Sequence, residues 1–406
     1  MSHSPVLQMA APEIAGAEPE ARTEFGLQGA RVLHVGKFYP PHRGGMETHL
    51  EALCGELKKQ LSVEVIVASD DRRTREEVID GVRVTRAGTK FDLAAAPVCP
   101  AMARAIRRSK ADLVHLHHPN PAAMLAYLAS GHRGALVITY HSDIIRQRAL
   151  SKIFWPVLRQ ALGRADSIIV GSPDYLNTSP VLQKFRGKCR VIPFGISTES
   201  FERPNAIEVA KIRRRYGPLL VLGVGRLVYY KGFEYAIRAM KDVDAHLLIV
   251  GTGPLQHQLE QEAESCKITD RVTFLRDVED IHSYYHAADV FVLPSIARSE
   301  AFGIVQLEAM ACGKPVVNTS LDSGVPFVSP DGVSGLTVPP RDAGALARAL
   351  KLLLDDSELS AGYGRAGRLR VKREFSLEAM TSRTLRLYQE ILKSPTVPAD
   401  SKETSL

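Results

Sequence analysis

The chain has 406 residues, enough for two domains that each bury a full core. Its 52 Lys and Arg against 45 Asp and Glu give a formal net charge of +7, which permits anionic ligands or membrane surfaces; without aromatic–basic interleaving it gives no ground for expecting nucleic acid as a partner. No uninterrupted apolar run is long enough to span a bilayer, and the five cysteines (Cys54, Cys99, Cys189, Cys266, Cys312) are scattered and odd in number, which disfavours a disulfide framework or a zinc site and fits a reducing cytoplasm.

The first 28 residues are expected to be a disordered tail: residues 1–26 are rich in Ala, Glu and Pro and lack the basic-then-apolar order of a signal peptide. Residues 31–36 form a short apolar run, residues 37–45 a turn-rich loop, and residues 46–60 carry helical periodicity. Gly44 and Gly45 stand at that helix start, where backbone can approach an anion or a sugar closely. The three-glycine dinucleotide spacing is missing. Further strands are predicted at residues 63–68, 82–86, 112–117, 135–140, 166–170 and 190–193. Ligands of open parallel sheets bind outside the C-terminal strand ends, so Gly44, Gly45, His117, His118 and His141 should share one rim. His115 reads as a satisfied core histidine. His141, just past a strand end, is the better candidate for function. Residues 194–218 are charged and poorly periodic and read as the connection to a second unit.

The pattern restarts at residues 219–223, with later strands at 246–250, 271–275, 289–293 and 315–318. The loop after the first of these carries Arg226 and Lys231, two cations beside a helix start, an arrangement suited to a diphosphate: the guanidinium binds as a fork and the ammonium as a point charge. The apolar run at 289–293 leads into Glu300-Ala-Phe-Gly-Ile-Val-Gln-Leu-Glu308 and a helix ended by Gly313 and Pro315. The amides of Phe302, Gly303, Ile304 and Val305 then form a helix N-terminus ready for phosphate. Glu300 in the turn and Glu308 in the helix can accept hydrogen bonds from sugar and ribose hydroxyls. Asp242 and Asp244 have the letters of a metal-binding Asp-x-Asp but precede their strand, at the wrong edge of the sheet, so no metal is expected. The last helix is predicted over residues 377–392, with Ser376 as its N-cap, before a polar tail.

Gly44-Gly45-Met46-Glu47, the Gly225-Arg226 to Lys231-Gly232 loop, and Glu300 with Glu308 eight positions later together resemble the retaining glycosyltransferases of family 4. The resemblance covers residues 31–392 and implies an α/β protein of GT-B fold, two Rossmann-like doubly wound domains facing across a cleft. Domain bounds of 29–205 and 206–375 are expected, with a helix at 376–393 packing back on the first domain and a tail at 394–406. The resemblance implies that Arg226 and Lys231 hold the donor diphosphate, that Glu300 touches the donor sugar and Glu308 the ribose, and that His141 is the first-domain histidine of the site. It implies amides at Phe302, Gly303, Ile304 and Val305 near sugar and phosphates, and Gly44 and Gly45 beside phosphates and acceptor. It further implies metal-independent, retaining transfer of a hexose from a GDP- or UDP-linked donor to a glycan or lipid-linked acceptor. One departure stands out: Phe327 occupies a position where the family often has Glu.

Two rivals are a sugar-nucleotide epimerase of the same fold and a catalytically silent binding subunit; the sparse acid–base set argues against the first and the intact Arg226, Lys231, Glu300 and Glu308 against the second. In the helical stretch 146–164, Arg148, Lys152 and Arg159 fall on one face with Trp155 beside them, and Leu150, Ile153, Phe154, Val157 and Leu158 are expected to pack on the sheet. That basic face, extended by Arg104, Arg107, Arg108 and Lys110, is expected to dock reversibly on an anionic membrane from the cytoplasmic side.

Overall fold

Buried runs such as Leu-Val-Ile-Thr at the centre of Ala135–Tyr140 leave neither face of a strand polar, which is the pattern of parallel sheets covered on both sides. The structure, a computed structural model, describes residues 26–42, 44–93, 96–143 and 148–393, without the side chains of 92–98 and 148–152. Sixteen strands occur among these residues. They are β1 Arg31–Val35, β2 Ser62–Ala68, β3 Arg75–Ile79, β4 Val82–Ala87, β5 Phe91–Leu93, β6 Ala96–Val98, β7 Leu113–His118, β8 Ala135–Tyr140, β9 Ser167–Val170 and β10 Cys189–Val191. Then follow β11 Leu220–Val224, β12 His246–Val250, β13 Val272–Leu275, β14 Val290–Val292, β15 Val316–Thr319 and β16 Gly335–Val338.

The first sheet has the order β10-β9-β8-β7-β1-β2-β4-β3 and the second β13-β12-β11-β14-β15-β16; β5 and β6 make a separate hairpin. All pairings within the two large sheets are parallel except β3 with β4. Strand order reverses between β1 and β7 in the first sheet and between β11 and β14 in the second, and each reversal opens a crevice at the C-terminal strand ends.

The chain passes between the two units twice, and the crossings are tied together. Ile196 N donates to the Phe375 carbonyl at 3.0 Å and Leu377 N to the Ile196 carbonyl at 2.9 Å. The helix Leu377–Lys393, with Ser376 Oγ accepting from Ala379 N at 3.2 Å, then returns to the first unit and buries Tyr388 beside His115.

Two elements lie outside the predicted ones. Within the stretch read as a charged, poorly periodic connection, residues 206–216 form the helix Ala206–Tyr216, capped by Asn205, whose side chain accepts from Glu208 N. Its only fully buried side chain is Ile212, so a narrow apolar stripe is drowned by charge in the sequence. The strand β3, which reads Arg-Glu-Glu-Val-Ile, was also not predicted; it is an exposed edge without apolar alternation. The helices Ala343–Asp355 and Ser357–Glu374 and the strand β16 complete the second unit beyond the predicted elements.

Candidate active site

The second-domain half of the site grows from the β11–β14 crevice. The loop after β11 brings Lys231 back under its own start, because Gly225 has φ 151° and a Cβ there would lie 3.0 Å from Lys231 Cε. Ile296 N donates to the Tyr230 carbonyl at 2.8 Å, which ties this loop to the one after β14. Lys231 Nζ then meets Glu300 Oε2 at 2.7 Å, with the two residues 7% and 8% exposed, and Ser295 Oγ donates to the same oxygen at 3.2 Å. Burial, reinforced by the Glu300 charge, pushes the Tyr230 phenol up to about 12. Arg226 is exposed and makes no ion pair among the described residues. The sequence placed Arg226, Lys231 and Glu300 together; that the lysine and the first carboxylate would pair directly was not legible in it.

The helix Ile304–Ala311 begins where expected, at Gly303 in the left-handed conformation with φ 77°, and no side chain caps it. A Cβ on Gly303 would stand 2.7 Å from Gln306 Nε2 and 2.8 Å from Leu293 Cδ2, so only glycine makes this turn without displacing its neighbours. The Gln306 carboxamide accepts from Asn318 Nδ2 at 2.8 Å, which pins the first helical turn to β15. Phe302 is buried; Ile304 and Val305 are half-buried. Glu308, one turn further, is half-buried and accepts from the buried Tyr285 hydroxyl. Burial raises its carboxyl above the ordinary range, opposed by that hydrogen bond and by the Lys231 charge.

The first-domain half is a cluster of imidazoles at the β1–β7 crevice. His141 Nε2 lies 3.2 Å from His117 Nδ1, and His117 Nε2 lies 3.1 Å from His34 Nδ1. Tyr388 Oη is 2.5 Å from His115 Nδ1 and 3.5 Å from His34 Nε2, and His115 Nε2 is 2.7 Å from Thr139 Oγ1. His115 is thus a satisfied core histidine, as expected. Burial holds every ring neutral, with His34 lowered to about 3, His49 to about 4, and His115, His117 and His141 well below their usual value. His34, His49 and Tyr388 were not anticipated; the register that sets His34 opposite His115 and the helix return that delivers Tyr388 are invisible in a linear reading. Gly44 is the N-cap of the helix Gly45–Leu57, and both glycines are exposed.

The halves touch through rings and charge. Phe194 lies 5.0 Å from His141 and 4.9 Å from Phe302, centroid to centroid. Arg298 Nη2 reaches Asp143 Oδ2 at 3.2 Å, and Thr178 Oγ1 donates to the Asp322 carbonyl at 2.9 Å.

A family model described as glycosyltransferase family 4 matches residues 43–200, and one described as glycosyl transferases group 1 matches residues 206–370. The chain is 31% identical over 369 residues to the O-antigen chain mannosyltransferase C of Escherichia coli, covering 90% of this chain and 99% of that protein. The chain belongs to the family 4 glycosyltransferases.

Other relatives are the D-rhamnosyltransferase WbpZ of Pseudomonas aeruginosa, 34% identical with 85% of this chain and 92% of that one covered, and the GDP-mannose-dependent alpha-(1-6)-phosphatidylinositol monomannoside mannosyltransferase of Mycolicibacterium smegmatis, 31% identical over 83% and 92%. The solved sucrose-phosphate synthase of Thermosynechococcus elongatus superposes with a TM-score of 0.78 at 26% identity, over 90% of this chain and 100% of that one. The fold is GT-B, and the protein is a glycosyltransferase that moves a sugar from a nucleotide-sugar donor to a glycan-type acceptor.

Within this glycosyltransferase, Phe327 fills its place by packing: its ring lies 5.8 Å from Phe375 and 5.6 Å from the Arg370 guanidinium, which also donates to the Phe327 carbonyl at 2.9 Å. Asp242 and Asp244 are exposed at the N-terminal edge of β12, away from both crevices. No helix among the described residues is long and apolar enough to cross a membrane. Of the residues predicted to face one, Arg148 and Lys152 have side chains outside the described set, although both lie in the helix Arg148–Arg164. Arg159 is exposed. Trp155 is half-buried against the first core, with Lys184 Nζ 4.6 Å from its ring. Ile153 corrects the predicted packing: it is 76% exposed, because it stands about 140° around the helix from the buried Leu158 at 3.6 residues per turn.

Proposed function

We propose that this enzyme is a retaining mannosyltransferase that uses GDP-mannose and extends a lipid-linked or cell-surface glycan precursor, with no metal ion at the donor diphosphate. The observation that carries the reading is the Lys231–Glu300 pair, buried at a strand-order reversal beside an uncapped helix N-terminus. The mannosyl class is supported by the names of the Escherichia coli and Mycolicibacterium smegmatis relatives, and the guanine base and lipid acceptor by the second of these.

The chemistry follows from where charge develops. As the anomeric carbon–oxygen bond breaks, negative charge grows on the departing diphosphate. Once donor binding has drawn Lys231 to the phosphates, Lys231, Arg226 and the amides of Ile304 and Val305 already surround the place where that charge grows, so they stabilise the transition state more than the ground state. Glu300 presets the ammonium; when a phosphate oxygen draws Lys231 over, the carboxylate is released to accept a sugar hydroxyl. Glu308 accepts from ribose hydroxyls, and neutral His141 faces the sugar from the first domain with Gly44 and Gly45 beside the phosphates and acceptor. The acceptor hydroxyl attacks from the leaving-group face, its proton passes to the departing diphosphate oxygen, and the anomeric configuration is retained.

Peripheral association with the anionic cytoplasmic leaflet belongs to the same reading, since Arg159 is exposed about 40° around the helix from Trp155 at 3.6 residues per turn, and Ile153 is exposed on another side of the same helix. The test is a melting-temperature shift against GDP, UDP, GDP-mannose and UDP-glucose, since a ligand bound by the native state raises the transition, followed by NMR assignment of the product anomer. GDP and GDP-mannose should give the largest shifts and the α-linked product should form. A shift with uridine nucleotides alone, or an inverted anomer, overturns the assignment.

A further inference from the structure

The histidine cluster contains an arrangement that sugar transfer does not require. His49, His117 and His141 each bring one ring nitrogen to within 4.8 Å of the others, and all three are buried. His117 Nδ1 and His141 Nε2 are 3.2 Å apart. That is close to the edge of a tetrahedron around an ion with metal–nitrogen bonds of about 2.0–2.1 Å.

His49 supplies the second observation. It is 5% exposed, and neither of its ring nitrogens has a hydrogen-bond partner among the described residues. A buried polar nitrogen left unpaired is costly, and an ion between the three rings would satisfy it. Its ring stands edge-on to His141 at 5.0 Å and to His117 at 5.8 Å, so a modest side-chain rotation brings a nitrogen to bear. Support behind the ligands is already in place. The far nitrogen of His117 is 3.1 Å from His34 Nδ1, and His34 in turn has Tyr388 Oη at 3.5 Å from its other nitrogen. Such a partner fixes the tautomer that leaves the inner nitrogen free to bind a metal. Phe194 covers the site, 4.7 Å from His49 and 5.0 Å from His141. The alternative trio of His34, His115 and His117 is weaker, because both nitrogens of His115 are engaged by Tyr388 and Thr139.

We propose that His49, His117 and His141 form a three-imidazole site for a borderline transition-metal ion of the Zn²⁺ class, with water as the fourth ligand. Three imidazoles and no carboxylate select Zn²⁺, Co²⁺, Ni²⁺ or Cu²⁺ over Mg²⁺, Mn²⁺ or Ca²⁺, so this site is separate from any question of metal at the donor diphosphate. Occupancy also ties up His141. If His141 faces the sugar as argued above, Zn²⁺ inhibits transfer.

The experiment titrates the purified full-length protein with Co²⁺, read by visible absorption, and with Zn²⁺, read by calorimetry. One tetrahedral Co²⁺ per chain, displaced by Zn²⁺, is expected. His49→Ala and the bulkier His49→Gln should each weaken Zn²⁺ binding by at least about tenfold, while His282→Ala, a half-exposed histidine outside the cluster, leaves it intact. The melting temperature of both His49 variants in the absence of nucleotide, measured alongside, certifies the fold, so loss of Zn²⁺ affinity is separable from failure of the donor-site reading. Weak octahedral Co²⁺ absorption, or Zn²⁺ affinity unchanged in folded His49→Ala and His49→Gln, overturns the site.

Discussion

Asp143 and Arg298 pair at 3.2 Å across the cleft, and each stands two residues from a candidate reacting group, Asp143 after His141 and Arg298 before Glu300. The carboxylate is held from its own side: Asp143 Oδ1 accepts from Tyr140 Oη at 2.7 Å and from Ser179 Oγ at 2.9 Å, and Asp143 N donates to Tyr175 Oη at 2.7 Å. The guanidinium lies 5.2 Å from the Tyr175 ring and donates to the Thr178 carbonyl at 2.7 Å. The pair therefore sets the spacing between the two halves of the site.

Arg298→Ala should accordingly lower kcat by about 10- to 100-fold, the scale on which an ångström of misplacement costs rate. Nucleotide affinity should change little, because the cations and amides proposed to hold the donor lie in one domain. Steady-state kinetics beside calorimetric GDP binding separates the two; a loss confined to GDP affinity contradicts the positioning role.

Lys231 and Arg226 should both matter to turnover but differ in stability. Either alanine variant is expected to cut kcat by about 100-fold or more, the cost of one transition-state electrostatic donor. Lys231→Ala also strands Glu300, a buried carboxylate whose side chain then keeps only Ser295 as a partner among the described residues, so its melting temperature should fall. Arg226 is exposed and unpaired among the described residues, so Arg226→Ala should melt like wild type. Full turnover should persist in chelator and gain nothing from Mg²⁺ or Mn²⁺. Wild-type kcat in both variants would show that the diphosphate binds elsewhere.

The two carboxylates should separate, with Glu300→Ala acting mainly on kcat and Glu308→Ala mainly on nucleotide affinity. Glu308 also gives a pH signature. Its carboxyl is raised by burial and held down by the Tyr285 hydroxyl and Lys231. Ribose hydroxyls favour the ionised form, so GDP affinity should be full above the Glu308 pKa and fall as pH drops through it. Tyr285→Phe removes one restraint, raises that pKa and shifts the fall to higher pH. Calorimetric titration of GDP across pH tests this; a profile identical to wild type rules out a ribose contact at Glu308.

Most strands were legible in the sequence, because each is a continuous apolar run bounded by Gly, Pro or charge, and their observed ends lie within two residues of the predicted ones. Glu300, Glu308, Arg226 and Lys231 were legible because strand, turn and helix place them in order along the chain. What stayed hidden depends on distant pairing. Nothing local says that His34 and His115 are register partners, that Tyr388 returns over them, or that Arg298 reaches Asp143. Ile153 shows the opposite failure: an apolar residue was assigned inward by type, although helical phase turns it out.

That exposed Ile153 sharpens the last prediction. Ile153 is 76% exposed, and a helix resting on a bilayer inserts such side chains at the headgroup boundary. Arg159 lies exposed on the same helix, about 120° around it from Ile153, and Lys184 Nζ lies 4.6 Å from the Trp155 ring. Each cation near an anionic leaflet contributes about 1 kcal/mol and is screened by salt. The wild-type protein should therefore sediment with anionic liposomes at low salt and be released at high salt. Replacing Arg148, Lys152 and Arg159 with Glu should abolish binding, and Ile153→Ser should weaken it even at low salt, where charge attraction is intact. GDP binding should survive in both variants. Because the isoleucine contributes through apolar insertion and the cations through charge, a salt-sensitive interaction indifferent to Ile153→Ser would indicate a purely electrostatic contact. Wild-type protein left wholly in the supernatant at low salt would instead point to a soluble acceptor.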